Sequence, residues 1–270
     1  MRPDVSVVMP AYRATSTIGR AVQSVFAQEG VALELVLCAD DEVDYAALLP
    51  ADLRAGHALT FCRTPVPRSG PSAARNIALR QARADLIACL DADDAYAPGR
   101  LARLLPLAER YGVATGPTRE VDPRTRAVRM ARPRQGGAFL PIEDICELRM
   151  PFSPVYRKDK CPAGWPTIEF AEDVILNVDL YCASGAYAFV EDAEYIYHLS
   201  EGSRSHSREA LHGARCGYLQ ILELVETRDW PSAVQDLVRR VFKEDLAAVE
   251  RAQDDPRATW RETVRDGSAR

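Results

Sequence analysis

The feature that most constrains the fold is the alternation of short apolar segments with amphipathic helical segments in the first part of the chain. The apolar segments have the length of buried strands and cover residues 5–9, 33–38, 59–62 and 86–90. The first helical segment carries apolar side chains on one face, at Ile18, Ala21, Val22, Val25 and Phe26. This alternation predicts an α/β fold with a Rossmann-like, mostly parallel sheet, helices on both faces and functional loops at the carboxyl ends of the strands.

The second part of the chain departs from this alternation. A short strand at 113–115 is followed by segments 119–121 and 128–130, which flank Asp122-Pro123-Arg124-Thr125 and predict a small β-hairpin insertion outside the main sheet. Residues 158–167 contain prolines and a glycine and predict a loop, and a helix then follows. Two short strands near 187–190 and 195–198 precede two C-terminal helices.

These patterns predict a main domain over residues 1–205, a helical extension over 206–255 and a flexible tail over 256–270. The sequence leaves open whether the helical extension caps the sheet, completes a binding pocket or forms the contact of a homodimer.

Composition limits the kinds of partner. The net charge of −5 gives no overall basic field that would recruit nucleic acid. The seven cysteines form no Cys-x-x-Cys pair, which favours a reducing compartment. No stretch reaches the ~20 apolar residues of a membrane span, so we expect a cytoplasmic protein, with action at the inner face of a membrane left open.

The run Leu90-Asp91-Ala92-Asp93-Asp94 places carboxylates directly after the apolar segment 86–90. Carboxylate oxygens at the carboxyl edge of a sheet are suited to Mg²⁺ or Mn²⁺, which can bridge to a phosphate. The run therefore favours a site for a nucleotide diphosphate, and a solvated acidic turn is the alternative.

Motifs along about 200 residues of the chain resemble, in order, those of family 2 glycosyltransferases, which transfer a sugar from a nucleotide diphosphate donor. The motifs are Val5-Ser6-Val7-Val8-Met9-Pro10-Ala11-Tyr12, Asp40-Asp41, Gly70-Pro71-Ser72-Ala73-Ala74-Arg75-Asn76, Asp91-Ala92-Asp93-Asp94, Glu172-Asp173 and Tyr197-His198-Leu199-Ser200-Glu201-Gly202-Ser203-Arg204-Ser205. The resemblance implies a GT-A fold whose nucleotide-binding half covers residues 1–116 and whose acceptor and catalytic half covers 117–205.

The resemblance also assigns roles to individual residues. The expected nucleotide-sugar-binding residues are Pro10, Ala11, Tyr12, Arg13, Asp40, Arg75, Asp91, Ala92 and Arg204. Asp93 is the expected ligand of Mn²⁺ or Mg²⁺, with His198 as a second candidate ligand. Asp173 is the expected catalytic base, and Glu172 next to it would raise its affinity for the proton. These roles predict inverting transfer to a hydroxyl of a glycan or of a lipid-linked acceptor.

The chain departs from the family pattern in places. The usual Asp-Asp-Gly-Ser is Asp40-Asp41-Glu42-Val43 here, and His198 stands where many relatives have arginine. The Gln-x-x-Arg-Trp signature of processive relatives is absent from the sequence, which favours transfer of a single sugar.

Other enzyme classes fit the sequence less well. A nucleotidyltransferase of related fold would need Gly-x-Gly-x-Arg after the first strand, and a Rossmann dehydrogenase would need Gly-x-Gly-x-x-Gly, whereas this chain has Pro10-Ala11-Tyr12-Arg13. A retaining GT-A transferase and a non-catalytic module that binds sugar nucleotides remain as alternatives.

Overall fold

A computed structural model of the chain describes residues 2–122, 125, 128–134, 136–149, 151–199, 209–255 and 257–265. The strands are β1 (Val5–Ala11), β2 (Leu33–Ala39), β3 (Leu59–Arg63), β4 (Leu86–Cys89), β5 (Ala95–Tyr96), β6 (Val113–Thr115), β7 (Thr118–Val121), β8 (Val128–Ala131), β9 (Val155–Arg157), β10 (Ala188–Phe189) and β11 (Tyr195–His198). The α-helices are α1 (Ile18–Phe26), α2 (Tyr45–Leu48), α3 (Ala51–Gly56), α4 (Pro71–Gln81), α5 (Arg100–Tyr111), α6 (Ile142–Glu147), α7 (Glu172–Ser184), α8 (Glu209–Val225) and α9 (Ser232–Ala252).

The main sheet has seven strands in the order β10-β6-β9-β4-β1-β2-β3. The β4-β1-β2-β3 part is entirely parallel, and only β9 runs antiparallel to its neighbours β4 and β6. The predicted mostly parallel sheet is therefore confirmed, with β1 between β2 and β4.

Helices cover both faces of this sheet. Side chains alternate along β1, so that Val7 and Met9 pack in one core cluster with α1 and α5, whereas Val8 packs in the other cluster with α4 and α7. Burial on both faces explains why β1 is apolar throughout rather than alternating. The C-terminal helices α8 and α9 belong to the second cluster, on the α4 side.

A second sheet of four strands, in the order β5-β11-β7-β8, lies beside the main one. Its β7 and β8 pair antiparallel, so the predicted hairpin outside the main sheet is confirmed. Strand β11 joins this sheet by pairing parallel to β7 and antiparallel to β5.

Several short elements are absent from the sequence predictions: α2, α3, α6, β5 and β9. Each covers too few residues for a hydrophobic period to develop. Strand β9 matters most, because it inserts between β4 and β6 inside the main sheet.

The packed part of the chain extends beyond the predicted boundary at residue 255. Trp260 and Val264 are buried, and the Trp260 indole N–H donates to the Tyr218 hydroxyl at 2.6 Å. Of the predicted flexible tail, Trp260 and Val264 therefore pack against the core, and residues 256 and 266–270 lie outside the described residues. None of the helices in the described ranges is both long and apolar enough to span a membrane.

Candidate active site

Three of the predicted motifs meet at one edge of the main sheet. Strand β1 is flanked by β2 and β4, and all three run parallel, so the segments after their carboxyl ends are neighbours. The turn 10–13, the pair Asp40-Asp41 and the run 91–94 therefore line the same edge, where ligands of open α/β sheets bind.

The turn after β1 presents an exposed aromatic ring. Tyr12 is 41% exposed, and the guanidinium of Arg13 lies 5.1 Å from its ring centroid. Arg13 has a left-handed φ of 52°, and its backbone N–H donates to Asp41 Oδ2 at 2.6 Å. Tyr45 also donates its hydroxyl to that oxygen, at 2.9 Å. Asp41 thus fixes the turn that carries Tyr12, whereas Pro10 is half-buried and Ala11 is buried beneath it.

Asp40 faces the protein interior. It is 4% exposed and accepts hydrogen bonds from the Thr64 hydroxyl at 2.8 Å, the Ser69 N–H at 2.9 Å and the Gly70 N–H at 2.8 Å. Its carboxylate therefore organises the loop 64–70, which leads into α4.

The three carboxylates of the run 91–94 have different surroundings. Asp94 is fully buried and accepts from the Tyr195 hydroxyl at 2.6 Å and from the His198 backbone N–H at 2.9 Å. Asp91 pairs with Arg75 at 2.6 Å, and Ala92 is buried. The half-buried carboxylate of Asp93 forms no hydrogen bond or ion pair with another side chain in the described part of the chain. Burial, and secondarily the charge of Asp91, raises the pKa of Asp93 to about 6.

Arg75 connects the acidic run with the Glu172-Asp173 pair. Its guanidinium is buried between Asp91, at 2.6 Å, and Glu172, at 3.1 Å. The ring of Trp165 lies against it, 4.2 Å from the guanidinium carbon. Glu172 is buried as well, so this side of the ion network is shielded from water.

Asp173 follows Glu172, which is linked through Arg75 to Asp91 of the acidic run. Burial, followed by the charge of the adjacent Glu172, raises the pKa of Asp173 to about 6, and Arg75 partly opposes this rise. The charge of Asp91 contributes to the same increase in the pKa of Asp173. A half-buried aspartate with raised proton affinity is suited to act as a general base near neutral pH.

Comparison with known proteins agrees with this geometry. The family model described as glycosyl transferase family 2 matches residues 6–162, which is more than half of the chain. The chain belongs to this family. The predicted family membership is thereby confirmed.

Among curated relatives of this family 2 chain, the succinoglycan biosynthesis protein ExoO of Rhizobium meliloti is 30% identical over 235 residues. That match covers 75% of this chain and 63% of ExoO, so the chain spans less than two thirds of the relative's length.

Solved structures show the fold of this family 2 chain. TarS of S. aureus, in complex with UDP-GlcNAc, matches with a TM-score of 0.69 and 20% identity over 92% of this chain and 72% of that one. The mannosyltransferase PcManGT from Pyrobaculum calidifontis, in complex with GDP-Man and Mn²⁺, matches with a TM-score of 0.65 and 17% identity over 100% of this chain and 80% of that one. The predicted GT-A fold is confirmed by these likenesses.

Two side chains of the family 2 site have the chemistry of ligands for a divalent cation. Asp93 offers the unpaired carboxylate described above, and the Nδ1 atom of His198 is buried without a hydrogen-bond partner among the described residues. Burial lowers the pKa of His198, which favours the neutral imidazole that metals bind. Within the described ranges, no three His, Cys, Asp or Glu side chains cluster as a metal site. The chemistry of Asp93 and His198 therefore fits a divalent cation, which these two residues would hold and which would supply positive charge beside a diphosphate.

Asn76 and Trp165 contribute to the site without having been predicted as site residues. The Asn76 amide donates to the Trp165 carbonyl at 2.9 Å and accepts from the Trp165 N–H at 2.8 Å, which holds the tryptophan against Arg75. Asn76 is the last residue of the predicted motif 70–76, and its place in that motif is the sequence signal that could have identified it as a site residue. Trp165 lies in the proline-containing loop 158–167, where no periodicity marks it.

Arg20 and Tyr195 also support the acidic run. The Arg20 guanidinium donates to the backbone carbonyl of Asp93, and the Tyr195 hydroxyl accepts from the Asp91 N–H at 3.3 Å. Both residues lie on predicted elements, but their direction toward the acidic run could only be read from the tertiary structure. The predicted site residue Arg204 lies outside the described residues.

Proposed function

We propose that the protein is an inverting glycosyltransferase that moves one sugar from a nucleotide-diphosphate sugar to an acceptor hydroxyl, in polysaccharide or glycoconjugate biosynthesis. The observation that carries this proposal is the Arg75 bridge. One buried guanidinium contacts Asp91 from the acidic run and Glu172, the neighbour of the proposed base, and this link supports a common site for the two motifs.

Asp173 is the proposed catalytic base. Its raised pKa allows it to take the proton of the acceptor hydroxyl as the oxygen attacks the anomeric carbon from the side opposite the diphosphate. Attack from the opposite side inverts the configuration at that carbon. Glu172 stays paired with Arg75 and raises the proton affinity of Asp173 through its charge.

Asp93 and His198 are the proposed ligands of Mn²⁺ or Mg²⁺. When bound, such a cation supplies positive charge that stabilises the departing diphosphate. Asp91, which is held by Arg75, is proposed to contact the ribose or to order a water molecule that the cation would bind.

The turn 10–13 is the proposed base-binding part of the site. The exposed Tyr12 ring can stack on a nucleotide base, and Arg13 beside it can contact a phosphate or the base edge. The proposed nucleotide-sugar-binding residues Ala11 and Ala92 are buried at the same edge of the main sheet. Asp40 and Arg204 keep their proposed roles in nucleotide-sugar binding, and the carboxylate of Asp40 also shapes the loop 64–70.

The relatives suggest the kind of substrate. ExoO is a succinoglycan biosynthesis protein, and the TarS and PcManGT complexes contain UDP-GlcNAc and GDP-Man. A nucleotide-sugar donor and a glycan or lipid-linked acceptor are therefore proposed for this chain. We keep the proposed division into a nucleotide-binding half over residues 1–116 and an acceptor half over 117–205.

The test begins with a panel of UDP, GDP, CMP and dTDP sugars, screened with Mn²⁺ for thermal stabilisation. A ligand at 100 times its dissociation constant adds about 2.7 kcal/mol to the stability of the folded state, which a melting curve detects. The donor that this screen selects is then used to measure turnover and donor affinity.

Asp173→Asn should lower kcat by at least ~100-fold while donor affinity stays nearly unchanged, because only proton transfer is lost. Asp179→Asn is the matched control: the residue lies on the same helix but pairs with Arg228, away from the acidic run. Unchanged turnover in Asp173→Asn would exclude Asp173 as the base, and donor binding without any turnover in the unsubstituted chain would point to a non-catalytic module. Retained anomeric configuration in the product would assign a retaining mechanism.

A further inference from the structure

The backbone of the segment before the Glu172-Asp173 pair packs closely against helix α8 at Gly217. A Cβ atom at Gly217 would lie 2.6 Å from the backbone nitrogen of Phe170 and 2.8 Å from its carbonyl oxygen. Such distances are far shorter than van der Waals contact, and both atoms belong to backbone. Only a residue without a side chain lets α8 and residue 170 approach this closely.

Further contacts hold the same segment. The Glu169 N–H donates to Gln220 Oε1 of α8 at 2.9 Å. The Phe170 ring packs edge-on against Tyr218 of α8, with centroids 6.1 Å apart, and in a tilted arrangement against Trp260, with centroids 5.1 Å apart. Trp260 in turn donates to the Tyr218 hydroxyl at 2.6 Å. Gly217, Tyr218, Gln220 and Trp260 thus form one surface, which we call the α8 clamp.

The α8 clamp fixes the backbone turn at which helix α7 begins. Ala171, next to Phe170, has a left-handed φ of 63°, a conformation that is disfavoured for residues with a Cβ atom. Such a conformation persists when neighbouring contacts determine it. Immediately after this turn come Glu172, which pairs with Arg75, and Asp173, the proposed base.

The electrostatic surroundings of Tyr218 agree with these contacts. Burial raises the pKa of the Tyr218 hydroxyl most, the charge of Asp245 and then that of Asp173 raise it further, and the hydrogen bond to Trp260 and the charge of Arg149 oppose the rise.

We propose that the C-terminal helix α8 and the segment around Trp260 are part of the catalytic machinery, with Gly217, Tyr218 and Trp260 as positioning residues that hold Phe170 and orient Asp173. This inference rests on the proposed function, because it requires Asp173 to be the base. It gives the C-terminal extension a role within this chain, for which the sequence left several options open.

Two glycine substitutions on α8 test the proposal. Gly217→Ala introduces a methyl group against the Phe170 backbone, whereas a Cβ at Gly213 meets only Glu169 Oε1, at an ordinary contact distance of 3.6 Å. Both substitutions raise helix propensity equally, so Gly213→Ala is a matched control.

The first measurement needs no ligand. Hydrogen–deuterium exchange followed by mass spectrometry should show amide exchange in residues 169–176 that is at least ~10-fold faster in Gly217→Ala than in the unsubstituted chain. Exchange in the β1 and β4 peptides should not change. Gly213→Ala should leave all of these peptides unchanged.

The second measurement separates kcat from KM, using the donor selected by the panel. Gly217→Ala should lower kcat by ~10-fold to ~100-fold, because a displaced base loses its alignment with the acceptor. The KM for the donor should stay within about twofold, because the turn 10–13 and the acidic run are not touched by the clamp. If Gly217→Ala does not fold, Phe170→Leu is the second variant, because it removes the ring held by the clamp. It should also lower kcat while the KM for the donor stays within about twofold.

The outcomes distinguish the two proposals. Equal exchange and equal kcat in Gly217→Ala and Gly213→Ala, with Asp173→Asn inactive, would overturn the role of the clamp and leave the base intact. Faster exchange in Gly217→Ala without loss of kcat would overturn it as well. Full activity in Asp173→Asn would instead refute the proposed function on which the inference rests.

Discussion

The Arg75 bridge makes a prediction about stability that can be worked out from its surroundings. Arg75→Met replaces the guanidinium with an apolar side chain of similar length. The substitution leaves two carboxylates, Glu172 and Asp91, without the cation that pairs with both of them.

The two carboxylates contribute unequally to the expected loss. Glu172 is 8% exposed, and leaving a buried charge without its partner costs about 3–5 kcal/mol. The Asp91 side chain is 39% exposed, so solvent limits its share to about 1 kcal/mol at most. We expect Arg75→Met to lower the free energy of unfolding by about 4 kcal/mol near neutral pH, which is within the ~5–15 kcal/mol of a typical domain.

The assay is urea unfolding at about pH 7.5 and about pH 5, measured in parallel for each variant. An unpaired buried carboxylate can avoid its penalty by taking up a proton, so the difference between Arg75→Met and the unsubstituted chain should shrink at the lower pH. Arg75→Lys keeps the charge but has no planar fork that reaches both carboxylates, so it should lose about half as much.

Arg157→Met is the control, because Arg157 pairs with Asp159 on the protein surface, where both side chains are largely exposed. It should leave the unfolding curve unchanged. A loss below about 1 kcal/mol for Arg75→Met at both pH values would refute the reasoning, since buried Glu172 would then not depend on its partner. A loss that grows as the pH falls would have the wrong sign and refute it equally.

Three other predictions concern the pH dependence of activity, the proposed metal site and the loop that carries Trp165. Because the pKa of Asp173 is raised to about 6 and the base acts deprotonated, kcat/KM should fall ~10-fold per pH unit below that value, and a flat profile would contradict this. Asp93→Ala should abolish the Mn²⁺-dependent part of donor binding in calorimetry, whereas equal donor affinity with and without chelator in the unsubstituted chain would reject the metal site. Asn76→Ala should destabilise the chain by about 2 kcal/mol in urea, and an unchanged unfolding curve would contradict the paired hydrogen bonds to Trp165.

The sequence predicted the main architecture well because the relevant signals are local. The apolar segments of β1, β2 and β4 and the helix stripe of α1 are periodic within a few residues of each other. The acidic run lies directly after β4, so parallel pairing with β1 was enough to place it beside the turn 10–13. The hairpin β7–β8 followed in the same way from a turn between two short strands.

Contacts between distant segments could not be predicted. Arg75 and Glu172 are 97 positions apart, and their pairing depends on how α4 and α7 pack against the same face of the sheet. The position of Asp40 directly after β2 was predicted correctly. That its side chain turns inward to the loop 64–70 could be seen only in the structure. The strand β9 is too short to be recognised and is fixed only by its neighbours β4 and β6.

The sequence by itself determined the order of strands and helices and the position of each acidic motif at a strand or helix end, because hydrophobic period and chain direction are properties of neighbouring residues. Only the tertiary structure decided which carboxylate is paired, which is buried and which stays unpaired. Those properties depend on burial and on charges brought together from remote segments. The same reason explains why the contacts of α8 with Glu169 and Phe170, before the turn at Ala171, could not be predicted from its amphipathic pattern.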